Sequence, residues 1–194
     1  LHQLLDGMEA ALRLPVGGSR IIPVATETPG AVLNLGSYAG CSARLLGLMW
    51  GAEDLASALG ASANRRAGRY RAPFDLARQL CLLAAAAAGV MPIDAVWTDT
   101  ADLEGLRDEA EQARIDGFTG KPLIHPLHCD VVHQAFMPSE AEQRRARAIL
   151  EAVAAAPGAG VAVLDGRMID RPHVIQAQRI LALAGIAVGA GPSD

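Results

Sequence analysis

Acidic and imidazole side chains recur at matching places along this chain. Glu27 stands in "ATETPG", Glu53 and Asp54 in "GAED", Asp99 in "WTDT", and His125 and His128 in "IHPLH". Each stretch directly follows a short apolar run. Carboxylates without cysteine partners suit a hard cation: Mg²⁺ is typically held by one or two carboxylates, with waters and substrate oxygens completing the octahedron. Glu27 and Asp54, on successive runs, form the natural pair. An ion held there acts as a Lewis acid on a carbonyl or carboxylate oxygen. A plainer reading stands beside this one. Thr26, Asp54 and Asp99 each fit the N-cap of a helix, and Glu53 fits a first-turn acid favoured by the helix dipole.

The elements that must position these groups alternate. The runs at 20–25 ("RIIPVA"), 44–50, 93–97 ("IDAVW") and 122–125 ("PLIH") read as strands, each bounded by Gly or Pro and nearly all apolar. Between them, 74–88 closed by Gly89 and 101–115 closed by Gly117 read as helices. Residues 1–14 carry Leu1, Leu4, Leu5, Met8, Ala11 and Leu12 at helical spacing and predict an amphipathic helix. Apolar strands alternating with helices indicate parallel βα units and a sheet covered on both faces. In a (β/α)₈ barrel the chemistry sits at the carboxyl ends of the strands, where the acids and histidines fall. A dinucleotide fold needs G-x-G-x-x-G straight after its first strand; none is there, and Gly158-Ala159-Gly160 precedes a strand instead.

The tail differs. Ser139 to Glu142 form a capping box that opens a helix to about residue 156. A Gly-rich turn, the short strand and loop of "VAVLDGRMID", and a last helix over 172–184 follow, with "GAGPSD" frayed at the end. The expected division is 1–137 for the barrel part and 138–194 for an appendage.

Composition excludes several classes. The chain of 194 residues has net charge −4 and 4% aromatic residues, which gives no basis for nucleic-acid binding. Cys41, Cys81 and Cys129 are scattered, odd in number and without C-x-x-C spacing; they read as reduced thiols in a cytoplasmic protein. The longest apolar run, 80–91, is too short to span a bilayer.

The stretches "IIPVATETPGAVLNL", "GLMWGAEDLASALG", "IDAVWTDTADLEGLRDEAEQARIDGFTGKPLIHP" and "VAVLDGRMIDRPHVIQAQRIL" resemble the HpcH/HpaI aldolase and citrate lyase β-subunit family, in that family's order and approximate spacing. The nearest resemblance is to its CoA-thioester lyases, which act on citryl-, malyl- or citramalyl-CoA. The resemblance implies a (β/α)₈ barrel with a C-terminal lid, assembled as a homo-oligomer, a trimer or hexamer. It implies Mg²⁺ held by Glu27 and Asp54. It also implies that Asp170, in "MIDRP", reaches a neighbouring subunit's active site as acid or base on the acetyl-CoA methyl carbon. For Asp170 the plainer role is the N-cap before Pro172. The family has about eight strands, and this chain shows four. The expectation is therefore a fragment: the C-terminal half of the barrel plus the lid.

The implied function is a Mg²⁺-dependent carbon–carbon lyase that splits a 3-hydroxyacyl-CoA into acetyl-CoA and a keto acid. Two other functions remain open: a malyl-CoA thioesterase on the same fold, and a non-catalytic scaffold that keeps the lid for oligomer contacts. Arg65 and Arg66, with Arg69 and Arg71, suit the CoA phosphates as arginine forks, or a solvated loop. His125 suits the CoA or substrate channel, or a bond to a loop carbonyl. Glu53 and Asp99 fit supporting places around the ion.

Overall fold

Two prolines decide how the apolar runs pair. The structure, a computed structural model, describes residues 1–156 and 161–186. Residues 1–136 and 137–194 form separate compact units. The first contains α1 (His2–Ala11), α2 (Pro29–Leu33), a 3₁₀ turn (Leu35–Tyr38), β1 (Gly47–Met49), α3 (Glu53–Leu59), β2 (Arg65–Arg66), β3 (Arg69–Tyr70), α4 (Ala72–Ala88), β4 (Met91–Ile93), α5 (Leu103–Asp116) and α6 (His128–Phe136). β1 and β4 are parallel, with Leu48 opposite Pro92. Isolated parallel bridges extend the sheet on both sides, at Ile21–Leu45 and Val24–Met49 and at Ile93–Gly120. Four segments thus lie side by side in chain order, all parallel, with helices in the connections.

The strand boundaries differ from those read in the sequence. The 20–25 run is no continuous strand. Pro23 has no N–H to donate, and the pairing slips there: Ile21 and Val24 are three residues apart, their partners Leu45 and Met49 four. The 93–97 strand begins earlier, at Met91. Pro92 is tolerated because its neighbours donate, Met91 N to Leu46 O and Asp94 N to Gly120 O, while its own carbonyl accepts from Thr119 N. The 122–125 strand is absent; pairing on that side is made at Gly120.

Helix boundaries follow local chemistry. α4 has Pro in its first turn, buries Phe74, Ala77, Cys81 and Ala85 along one face, and ends at Gly89 with φ +67°. α5 is capped by Asp102, which accepts from Gly105 N at 2.9 Å, and ends at Gly117 with φ +113°. Asp102 takes the cap that the sequence assigned to Asp99; Asp99 accepts from Ala101 N and Asp102 N in the turn before it. α1 turns its apolar stripe outward, leaving Leu1, Leu4, Met8 and Leu12 exposed and Glu9 buried. The reason is electrostatic. Glu9 accepts from Gly17 N, Ser19 N and Arg44, and Arg44 also pairs with Asp6. The Arg44 hydrogen bond first, then the Ser19 N–H, hold the Glu9 carboxyl far below the usual carboxylate range.

One core packs Leu48 and Trp50 of the β1 run against Leu55, Phe74, Ala77, Cys81 and Phe118. A second lies along α5 and α6, with Leu106, Ala110, Val131, Val132 and Ala135. Burial, helped by the Asp94 charge, pushes the Cys81 thiol up to about 12. The three cysteines are free. The second unit contains α7 (Glu140–Ala154), β5 (Ala162–Leu164), β6 (Arg167–Ile169) and α8 (Arg171–Leu183), around Ala146, Ile149, Ala162, Ile169, Ala177 and Leu181. The Ser139–Glu142 capping box is present. β5 and β6 form an antiparallel hairpin, where the sequence reading had one strand and a loop. Its turn residues Asp165 and Gly166 both have positive φ, as a primed turn requires. The Gly158–Gly160 turn and the frayed end lie outside the described residues. No helix among the described residues is long and apolar enough to cross a membrane.

Candidate active site at the strand exits

Glu27 and Asp54 leave the sheet from adjacent segments, and one hydroxyl fixes the two exits together. Thr26, fully buried, donates from Oγ1 to Gly51 O at 3.1 Å and accepts from Gly51 N at 2.9 Å. Gly51 leaves room for its neighbour: a Cβ there would lie 2.9 Å from Val24 Cγ1 and push that side chain aside. Thr26 is therefore no helix cap. That place belongs to Thr28, whose Oγ1 accepts from Ala31 N at the start of α2. Glu27 is held between a buried residue and a cap. On the neighbouring exit the N-cap of α3 is the buried Ala52, so Asp54 is no cap either but stands in the first turn.

Glu53 and Asp54 have different environments. The Glu53 carboxylate accepts from Asn64 Nδ2 at 2.7 Å, tying α3 to the chain that leads into β2. Asp54 and Glu27 are exposed and have no side-chain partner among the described residues. Both are hard oxygen donors of the type that Mg²⁺ takes beside waters and substrate oxygens. Among the described residues no cluster of three or more His, Cys, Asp or Glu forms a protein-only cage.

A buried ionic network lies behind the exits. Asp94, directly after β4, accepts from Trp50 Nε1 at 2.7 Å, Arg78 Nε at 3.1 Å and Lys121 Nζ at 2.9 Å. Lys121 also donates to Glu109 at 2.8 Å, Glu109 pairs with Arg65 at 2.5 Å, and Arg78 pairs with Asp116 at 2.7 Å. Three carboxylates (Asp94, Glu109, Asp116) thus meet three cations (Arg65, Arg78, Lys121). Burial alone would raise the Asp94 carboxyl; the Lys121 and Arg78 charges and the indole N–H outweigh it and hold the group below the usual carboxylate range. The network joins β1, β4, Lys121, α4, α5 and the β2–β3 hairpin. The sequence reading missed it. Its signals were an acid inside the apolar run "MPIDAVW" and an arginine beside the buried face of α4.

Arg65 and Arg66 sit on a hairpin, not in the open loop read from the sequence. β2 and β3 pair antiparallel across Ala67 and Gly68, both with positive φ. The Arg65 guanidinium lies 3.7 Å from the Tyr70 ring centroid and 5.0 Å from that of Trp97. It donates to Gly68 O and the Tyr70 hydroxyl. Burial, then the Glu109 charge, raises the Tyr70 phenol. Arg66, Arg69 and Arg71 are exposed. The hairpin borders an open groove of about 910 Å³ whose lining includes Arg65, Arg69, Tyr70, Trp97, Asp102 and Glu109.

His125 is half-buried, and its Nδ1 accepts from Leu127 N at 3.2 Å in a local turn. The His128 ring, 5.8 Å away, is buried with neither nitrogen hydrogen-bonded. Asp170 belongs to the second unit, where it is the N-cap of α8 and contacts His173.

Parallel βα units with acidic groups at the strand exits define an α/β protein. Residues 2–126 match the HpcH/HpaI aldolase/citrate lyase family, and the chain belongs to that family. It is 38% identical over 176 residues to the citrate lyase subunit beta-like protein of Mycobacterium tuberculosis, covering 87% of this chain and 64% of that protein. It is 42% identical over 164 residues to the (3S)-malyl-CoA thioesterase of Cereibacter sphaeroides, covering 81% and 54%. The crystal structure of the M. tuberculosis protein CitE with magnesium, acetoacetate and coenzyme A superposes with a TM-score of 0.75 at 32% identity, over 92% of this chain and 72% of that one. The chain thus spans 54 to 64% of the length of these two sequence relatives.

Proposed function

We propose that the protein is a Mg²⁺-dependent carbon–carbon lyase that cleaves, or in reverse forms, a 3-hydroxyacyl-CoA such as citryl-, malyl- or citramalyl-CoA. The observation that carries the reading is the pair of unpaired carboxylates, Glu27 and Asp54, on exits fixed by Thr26 and Gly51. A relative bound to magnesium, acetoacetate and coenzyme A supports it. In this reading residues 1–137 supply about the last four βα units of a (β/α)₈ barrel, and 138–194 form a lid and oligomer contact in a cytoplasmic trimer or hexamer.

Glu27 and Asp54 hold the ion, which when bound supplies Lewis-acid polarisation of substrate oxygens. Thr26 keeps the two carboxylates on adjacent exits. Arg66 faces the CoA phosphates from the β2–β3 hairpin, and Arg65 contributes by holding that hairpin to Tyr70 and Glu109. His125 lines the approach to the site. In cleavage the substrate hydroxyl gives up its proton to solvent as the keto group forms and the carbon–carbon bond opens, and Asp170, from the lid of a neighbouring subunit, gives its carboxyl proton to the enolate carbon; in reverse Asp170 takes the methyl proton and the new hydroxyl is protonated from solvent. Acid–base help of this kind contributes about 10²- to 10⁴-fold.

The 42% identity to a malyl-CoA thioesterase favours one second reading, thioester hydrolysis at the same site. Incubation of the Mg²⁺-loaded native protein with each acyl-CoA separates the two: acetyl-CoA plus a keto acid marks the lyase, free CoA without a keto acid the thioesterase. Neither product from any of the three substrates would overturn both.

A further inference from the structure

The start of α8 carries an unusual capping box. The N3 side chain of such a box is commonly Glu or Gln, which reaches back to the N-cap N–H. Here it is His173, and the N-cap is Asp170. Two contacts compete for His173 Nδ1. Asp170 N lies 3.3 Å away and needs a bare nitrogen to donate to. Asp170 Oδ1 lies at 2.5 Å. A bare Nδ1 would set its lone pair against an ionised carboxylate oxygen at that distance. An Nδ1–H donates to it instead, forming the shorter, charge-assisted bond. The shorter contact places a proton on Nδ1.

We propose that His173 is a positioning residue: with a proton on Nδ1, it donates to Asp170 Oδ1 and holds that carboxyl in one orientation for proton exchange with carbon. The inference rests on the assignment of Asp170 as the acid–base group. The proton exchanged with substrate travels on the second carboxyl oxygen, so the imidazole neither gains nor loses a proton in the step. The arrangement is that of an acid–base group steadied by a hydrogen-bonded third group, whose own contribution is orientation.

Two substitutions separate positioning from capping. His173→Glu keeps a side chain that accepts from the N-cap N–H but has no proton to give the carboxylate. His173→Gln keeps both abilities. Both variants are expected to fold, with α8 retained by circular dichroism. In the native protein His173→Glu is expected to lower kcat about 10- to 100-fold, the loss typical when a partner that orients a functional side chain is removed, with KM unchanged. His173→Gln restores kcat. Equal kcat in the two variants overturns the inference. Full turnover in Asp170→Asn instead overturns the acid–base assignment itself; an inactive Asp170→Asn beside a fully active His173→Glu sinks only the role of His173. Nitrogen-15 spectra of the imidazole give a test independent of turnover. The expected result at neutral pH is a ring protonated on Nδ1; protonation on Nε2 alone would refute it.

Discussion

Thr26 Oγ1 meets both backbone polar atoms of Gly51, donating to the carbonyl and accepting from the N–H. A single hydroxyl thereby replaces a ladder interaction where two parallel segments part, one residue before Glu27 and three before Asp54. Thr26→Val keeps the shape and removes the hydroxyl. Leaving buried polar groups unpaired costs about 1–3 kcal/mol each, so urea unfolding should show a loss in that range, and Mg²⁺ affinity should fall with it by calorimetry. Unchanged affinity would mean the exits are held by something else.

Glu27→Gln and Asp54→Asn should behave in the opposite way. Neither side chain has a partner among the described residues, so stability should stay within about 0.5 kcal/mol of the parent, as at surface sites away from structural features. Mg²⁺ binding should weaken at least tenfold in each variant. Binding that survives both changes would place the ion elsewhere.

Asp94→Asn removes the counter-charge of two buried cations, and breaking a buried pair costs about 3–5 kcal/mol. The sign of the pH effect follows from the depressed Asp94 carboxyl. Its contribution is complete above the unfolded carboxyl value of about 3.9 and is lost as pH falls from there toward the lower folded value. Unfolding free energies measured down a pH series should therefore drop more steeply below about pH 4 in the parent than in Asp94→Asn. Glu9, depressed through Arg44, is common to both proteins and cancels in the difference. Parallel curves would remove Asp94 from the account.

Gly47→Ala tests the β1–β4 spacing. A Cβ at residue 47 would lie 2.7 Å from the carbonyl oxygen of Met91, a backbone atom that cannot swing aside. Overpacking of this kind costs about 1–3 kcal/mol, and thermal melting should show it. A parent-like melting temperature would show that the two strands separate freely.

Arg65→Ala and Arg66→Ala should divide stability from ligand affinity. The first loses Glu109 and Tyr70 and should melt earlier; the second should melt normally and bind coenzyme A more weakly in a titration. The reverse pattern would transfer the phosphate role to Arg65.

The parallel βα order was legible because apolar runs, glycine stops and polar exits repeat along the chain, and Gly89 and Gly117 end their helices where the sequence placed the stops. Strand edges were not. Pro23 forces a slip and Pro92 is tolerated, and both outcomes depend on which neighbour donates across the sheet. The helix over residues 1–14 was read from its leucines, yet Glu9 and Arg44, 35 residues apart, decide which side faces in. The same long-range pairing hid Lys121 and Arg78. The hairpin at Asp165-Gly166 was legible in principle, since Asp-Gly between short apolar runs is a strong turn signal.

The residues that hold the exits and the residues that face solvent there are different residues. Thr26, Gly51 and Asp94 are committed to the scaffold, while the side chains at 27 and 54 have no hydrogen-bond or ion-pair partner among the described residues. The rim can therefore be rewritten without renegotiating the fold. In the reading proposed above, one backbone would host lyase or thioesterase chemistry through changes confined to a few outward side chains, and a variant without both carboxylates would keep the fold while losing the ion.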